Sequence, residues 1–194
     1  MKKLFCMITL LAAVVACGAK AKSLSATEVE TENTLSAEVV VADGDESKAA
    51  YIIISKQDFT LSLYDSDDRL VCRFPVAVGK NYGNKQRSGD MKTPEGDFSI
   101  QQIQPASDWG HDFGDGKGWI PNCYGNWFIR LKTPPHRGIG IHGTHAPESI
   151  GTRATEGCIR LRNADLDSLK PLLRVGMPVA ILPSDADREA DAEQ

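Results

Sequence analysis

A thiol and an imidazole stand near the two ends of the stretch from His142 to Arg162. His142 closes the run Gly138-Ile139-Gly140-Ile141-His142, and Cys158 sits in Thr155-Glu156-Gly157-Cys158-Ile159-Arg160-Leu161. A cysteine sulfur attacks carbonyl carbon and leaves readily. An imidazole titrates near neutrality, so it can take the thiol proton and return it. The first run alternates, which predicts a strand with Ile139 and Ile141 on the buried face and His142 on the other. His142 then shares its face with Gly138 and Gly140, which leave open space where a ligand backbone can approach. Gly157 removes bulk just before Cys158, and Arg160 and Arg162 alternate with Ile159 and Leu161. Nearby positive charge favours the thiolate. Most single cysteines are packing residues; the glycines around this pair are what argue for chemistry.

A metal site is the competing chemistry, because His142-x-x-His145 with Glu156 or Cys158 supplies zinc-ligand types. A strand end running into a loop does not bring i and i+3 to one face as a helix does. The expectation is therefore no metal and no cofactor.

The elements that must position these residues begin at Tyr51. Net charge is -4 over 194 residues with 41% hydrophobic residues, which suits one globular domain plus appendages and gives no reason to expect a nucleic-acid partner. Tyr51-Ile52-Ile53-Ile54 reads as a buried strand. Phe59 to Tyr64 and Leu70 to Val78 read as a hairpin around the turn Asp65-Ser66-Asp67-Asp68. Lys80 to Thr93 is a long polar loop, and loops of that length in compact domains are usually functional. Gly96 to Ile103 is a further strand. The aromatic-rich stretch Ser107 to Asn126 forms either a binding wall or a loop pinned to the core. Asn126 to Lys132 is a strand, and Asn163 reads as the N-cap of a helix. Many short strands and one clear helix imply a mostly β domain, a sandwich or partly closed barrel with one or two short helices.

The ends carry other signals. Lys2 and Lys3 followed by the apolar run Leu4–Ala16 read as a signal peptide (1–16). Cys17, where that run stops, is the site at which a bacterial lipoprotein would be acylated, giving an exported protein held to the membrane by a lipid anchor. Residues 17–48 read as a flexible tether and 184–194 as a disordered acidic tail. That leaves Cys72, Cys123 and Cys158 in the domain at 49–183. A Cys72–Cys123 bridge is conceivable, but Cys72 alternates with Leu70, Phe74 and Val76 as a core residue would.

His142-Gly143-Thr144, then Ser149-Ile150-Gly151, then Thr155-x-Gly157-Cys158-Ile159-Arg160-Leu161 resemble the signature of the L,D-transpeptidase catalytic domain, the YkuD-type family. Val76-Ala77-Val78-Gly79-Lys80 and Thr93-Pro94-Glu95-Gly96-Asp97-Phe98 resemble the family's upstream segments in the same order. Many members carry Ser-His-Gly-Cys where this chain has Thr155-Glu156-Gly157-Cys158, so Glu156 cannot supply a second histidine. The resemblance implies that Cys158 is the nucleophile, His142 its base, and the Gly143 carbonyl the group orienting the imidazole. It implies peptidoglycan stem peptides as substrate, with a tetrapeptide donor passed through a Cys158 thioester to an amine, or to water. Around that centre, Gly157 is a candidate for the oxyanion hole and Thr155 for holding the turn. Arg160 could clamp a substrate carboxylate, or form a structural ion pair with Glu156 or an acidic loop residue. Thr144 and Trp127 are further substrate-contact candidates.

Overall fold

Alternation builds the first layer of the domain. A computed structural model describes residues 49–193; the signal segment, Cys17 and the tether lie outside the described residues. Strands β1 (Ala49–Ser55), β2 (Thr60–Asp65) and β3 (Leu70–Pro75) pair antiparallel, with Ile52 opposite Leu63 and Ile54 opposite Leu61. Leu61 and Leu63 in turn face Phe74 and Cys72, so one apolar row crosses three strands. β1 is covered on one face only: Ile53 is half-buried, and Tyr51 stacks on Tyr64 at 5.2 Å on the outer side.

The remaining strands are β4 (Val78–Gly79), β5 (Gly96–Pro105), β6 (Gly110–Asp112), β7 (Trp119–Pro121), β8 (Trp127–Lys132), β9 (Gly140–His142), β10 (Arg153–Thr155), β11 (Ile159–Arg160) and β12 (Pro178–Leu182). Eight of the strands form one curled sheet in the order β11-β9-β8-β5-β12-β1-β2-β3, a half-barrel. β12 enters between β5 and β1, parallel to β1. β9 and β11 pair in parallel at the far edge. β4 with β10, and the hairpin β6–β7, form two small separate sheets. Helix α1 (Asn163–Leu169) presses Leu166 and Leu169 into the core. The architecture is the mostly β, partly closed barrel with two short helices that the strand pattern implied.

Two readings are corrected. Asn163 does not cap α1: its side chain turns away, to the His142–Thr144 segment, and Arg162 takes the cap position without a side-chain bond. The acidic tail is not disordered over its length, because helix α2 runs Asp185–Ala192 behind a capping box of Ser184 and Asp187. Composition alone suggested disorder, but Asp187 is fully buried against Lys56 (3.0 Å) and Arg153 (2.6 Å). Lys56, also fully buried, takes Glu95 at 2.5 Å. Paired charges can be buried where lone ones cannot. Cys72 lies in the core and Cys123 is buried, both as free thiols.

Candidate active site

The parallel pairing of β9 with β11 brings thiol and imidazole together. Ile141 is opposite Ile159 and His142 opposite Arg160, so Cys158, just before β11, lies beside Gly140. Paired residues in a parallel ladder point the same way, which puts Cys158 on the face that carries His142 and sends Ile141 and Ile159 into the core. The Gly140 N–H bonds to the sulfur, and the thiol donates to the Gly138 carbonyl at 3.5 Å rather than to the imidazole.

Phe128 occupies much of the space expected beside the imidazole. Its ring stacks on His142 at 5.6 Å and 8°, and a Cβ at Gly140 would run into it. Tyr124 meets the other side of His142 edge-on at 4.8 Å. His142 Nδ1 donates to the Gly143 carbonyl at 2.7 Å, which fixes the tautomer and leaves Nε2 as the basic nitrogen. Gly143 is held in turn: its N–H bonds to Tyr124 O at 2.7 Å, and a side chain there would collide with Asn163 Oδ1. Asn163 clasps Thr144 from both sides, accepting from its N–H (2.7 Å) and donating to its carbonyl (3.1 Å). Buried Thr144 uses its hydroxyl to accept from Ala146 N–H.

The turn that carries Cys158 is equally fixed. Thr155 Oγ1 donates to Cys158 O at 2.6 Å and accepts from Gly157 N–H at 3.1 Å. The Gly157 N–H is thereby committed, which narrows the oxyanion-hole candidates to the Cys158 N–H. Gly157 holds φ +127, and a Cβ there would lie 2.7 Å from Lys92 O. Thr93 closes the turn from outside, donating to Gly157 O at 3.0 Å and accepting from Gly79 N–H at 2.8 Å.

Burial decides the charge state. It drives the His142 pKa down to about 3; the Gly143 carbonyl opposes this, and the charges of Arg160 and His145 reinforce it. It pushes the Cys158 thiol up to about 11, against the Gly140 N–H and the positive Lys85, Arg130 and Arg160. Both shifts favour a neutral thiol beside a neutral imidazole, with the flanking cations acting against the rise at Cys158.

Two clefts meet at Cys158, sharing also Tyr124 and Gly138. One, about 580 Å³, is polar and lined by Lys85, Met91, His111, Arg137 and Glu156. The other, about 490 Å³, is walled by Trp109, Trp119, Phe128 and Arg130. The aromatic stretch is divided between packing on the core and lining the second cleft. Trp109 packs on Phe128 at 5.4 Å, while Trp119 stands 67% exposed over the second cleft.

Arg160 and Trp127 line neither cleft. Arg160 is buried, its Nη1 donates to Ser149 Oγ at 2.9 Å, and burial lowers its pKa. It does not pair with Glu156, which takes His111 at 3.3 Å. Trp127 packs against the core, with Lys170 Nζ 4.3 Å over its ring. His145 faces Phe113 at 5.4 Å, and no group of three or more His, Cys, Asp or Glu side chains placed to hold a metal occurs among the described residues. Sequence reasoning missed Asn163 as a buttress, Thr93 as a clamp and Arg137 as a cleft cation. Only Arg137 carried a local signal, since it follows the Pro134-Pro135 break directly before the glycine-lined strand.

Residues 49–181 match the L,D-transpeptidase catalytic domain family, YkuD. The chain is 36% identical over 132 residues to a putative L,D-transpeptidase YkuD of Bacillus licheniformis, covering 68% of this chain and 65% of that one. It is 30% identical to the Bacillus subtilis protein of the same description, covering 67% and 63%. The chain thus spans just under two thirds of the length of these relatives. Among solved structures, the catalytic domain of an E. faecium L,D-transpeptidase superposes with a TM-score of 0.51 at 20% identity, over 70% of this chain and 98% of that one. With the fold and the signature segments in place, the chain belongs to the L,D-transpeptidase catalytic domain family.

Proposed function

We propose that the chain is a cysteine-dependent acyltransferase acting on peptidoglycan stem peptides. The observation that carries this reading is the position of Cys158 at the junction of two clefts, beside a histidine whose tautomer is fixed. A transfer reaction needs a donor and an acceptor to reach one atom, and two clefts supply two approaches.

The thiol turns from Gly138 O to His142 Nε2, which takes its proton as the sulfur bonds to the carbonyl carbon of the third stem residue. The Cys158 N–H faces the developing oxyanion, a contribution of about 3 kcal/mol for one such donor. The C–N bond breaks, and His142 returns the proton to the leaving D-alanine amine. An amine of a second stem then attacks the thioester, gives its proton to His142 and releases the thiol, forming a 3–3 cross-link. A neutral resting pair suits this cycle, because the proton moves only as the bond forms. Arg137, exposed and without a partner among the described residues, suits a stem carboxylate better than buried Arg160 does. Cys17 would anchor the exported chain to the membrane near this substrate.

Water in place of the amine gives an L,D-carboxypeptidase; the polar cleft at Glu156 favours entry of either acceptor. A wall-binding module with lapsed catalysis is the reading the Glu156 departure suggests. Against it stands Glu156 itself, which is engaged by His111 and leaves the His142 contacts intact.

Incubation with a disaccharide-tetrapeptide, followed by mass spectrometry, tests the reading. Loss of D-alanine with an acyl adduct on Cys158 is the expected result. Cross-linked dimer identifies amine transfer, and tripeptide alone identifies hydrolysis. No adduct and no loss of D-alanine overturns the proposal.

A further inference from the structure

Helix α2 lies beyond residue 181, where the match to the family domain ends. Its contacts nevertheless run to the active cleft. Asp187 accepts from the Gly83 N–H at 2.7 Å, and Asp191 accepts from the Asn84 N–H through both carboxylate oxygens, at 3.0 and 2.9 Å. Gly83 is pressed so closely to α2 that a Cβ would strike Asp191. Lys56, already paired with Asp187, donates to Gly83 O at 3.1 Å. These contacts fasten the start of the loop whose later residues Lys85, Ser88, Gly89 and Met91 line the polar cleft.

The loop has a hub of its own. Asp90 accepts from Lys85 Nζ (2.6 Å) and from the N–H groups of Gln86 (2.7 Å), Arg87 (2.9 Å) and Lys92 (3.1 Å). It therefore moves as a unit, and a unit is positioned by its ends. Thr93 ties the far end to Gly157 O, and α2 ties the near end. Asp187 also holds Arg153, on the strand β10 that runs into the nucleophile turn, at 2.6 Å. One buried carboxylate thus touches both the start of the loop that leads into the cleft wall and the strand carrying Thr155.

We infer that α2, through Asp187 and Asp191, is a positioning element for the polar cleft: by holding Gly83 and Asn84 it sets the wall at residues 85–91 against the turn that carries Cys158 and so controls substrate binding there. The inference rests on the proposed transfer reaction for its consequence in turnover, but not for its consequence in loop order.

The test uses the full chain with Asp191→Ala, and with Asp187→Asn in addition. Asp191→Ala removes only the Asn84 contacts and leaves the buried Lys56 and Arg153 pairs intact, so it reports even where the double variant does not fold. Hydrogen exchange of residues 80–93 is expected to quicken in both. KM for the tetrapeptide is expected to rise about tenfold in Asp191→Ala, the scale of one lost charged hydrogen bond. The rate of Cys158 alkylation by iodoacetamide stays within about twofold, because the thiol's own contacts to Gly138 and Gly140 are untouched. Unchanged exchange and unchanged KM overturn the inference. So does a parallel fall of kcat, alkylation rate and melting temperature, which marks α2 as a stabiliser only. If the unaltered chain turns over no stem peptide, the proposed reaction fails, and the exchange of residues 80–93 alone decides the role of α2.

Discussion

Two buried polar clusters in this molecule meet the same problem in opposite ways. Beneath α2, Lys56, Asp187, Arg153 and Glu95 keep their charges inside the protein by pairing them. Burial alone would raise the Asp187 pKa. The Ser184 hydroxyl and N–H, Lys56 and the Gly83 N–H outweigh it and hold the carboxyl below the usual range. At the active site, Cys158 and His142 have no carboxylate partner, and burial discharges both. The difference begins with partners: the first cluster holds opposite charges in contact, and the second holds none. Charges with opposite partners persist inside the protein, whereas in the proposed reaction the two groups that exchange a proton have no such partner.

Substitution separates the two clusters most sharply by what is lost. Cys158→Ala should reduce acyl transfer about 10⁵-fold, roughly 7 kcal/mol of barrier. His142→Phe should reduce it about 10³-fold or more. Neither should lower the unfolding free energy by more than about 1 kcal/mol by urea titration, since each removes a polar group that folding had to desolvate. A large stability loss in either breaks the comparison. Lys56→Met should do the reverse. It leaves Asp187 with Arg153 alone and Glu95 unpaired, and should cost about 3–5 kcal/mol by urea titration, the scale for removing one member of a buried ion pair. If Lys56→Met melts like the unaltered chain, the network stabilises nothing.

Stability against pH sharpens the contrast. His142 is protonated near 6.5 when unfolded but only near about 3 when folded, so stability falls as pH drops below about 6.5. Roughly 2 kcal/mol should be gone by about pH 5. Asp187 and Asp90 are both held low. The stability they provide is complete above the unfolded carboxylate value of about 3.9 and disappears below it. Cys158 ionises only near about 11 when folded, so stability falls again as pH rises past about 9. A plateau between about pH 6.5 and 9 is the expected urea-midpoint profile. In the His142→Phe variant, the acid decline should begin near pH 4 instead. An unchanged profile in that variant assigns the decline to other groups.

The sequence exposed the placement of His142 and Cys158 better than their electrostatics. His142 and Cys158 were legible because each lies in a short alternating run beside a glycine, and such runs report their own facing. The partly closed β architecture was legible for the same reason. Arg160 stayed open between a substrate clamp and a structural role because a sequence shows its charge but not the Ser149 hydroxyl it bonds. The lowered His142 pKa was out of reach because Phe128 and Tyr124, which pack on the imidazole, arrive from a distant strand and loop. Helix α2 was misread because the partners that order it lie far off in the chain, Gly83 being 104 residues from Asp187. Asn163 looked like a cap because caps are local, and its true partner Thr144 is not.

The meeting of two openings at one sulfur has a further consequence for traffic. In the proposed reaction the fragment that departs need not retrace the route of the one that replaces it. A long, immobile strand could stay tethered on one side of Cys158 while its neighbour is threaded in from the other, so that joining two pieces of a wall would not require the enzyme to let go of the first.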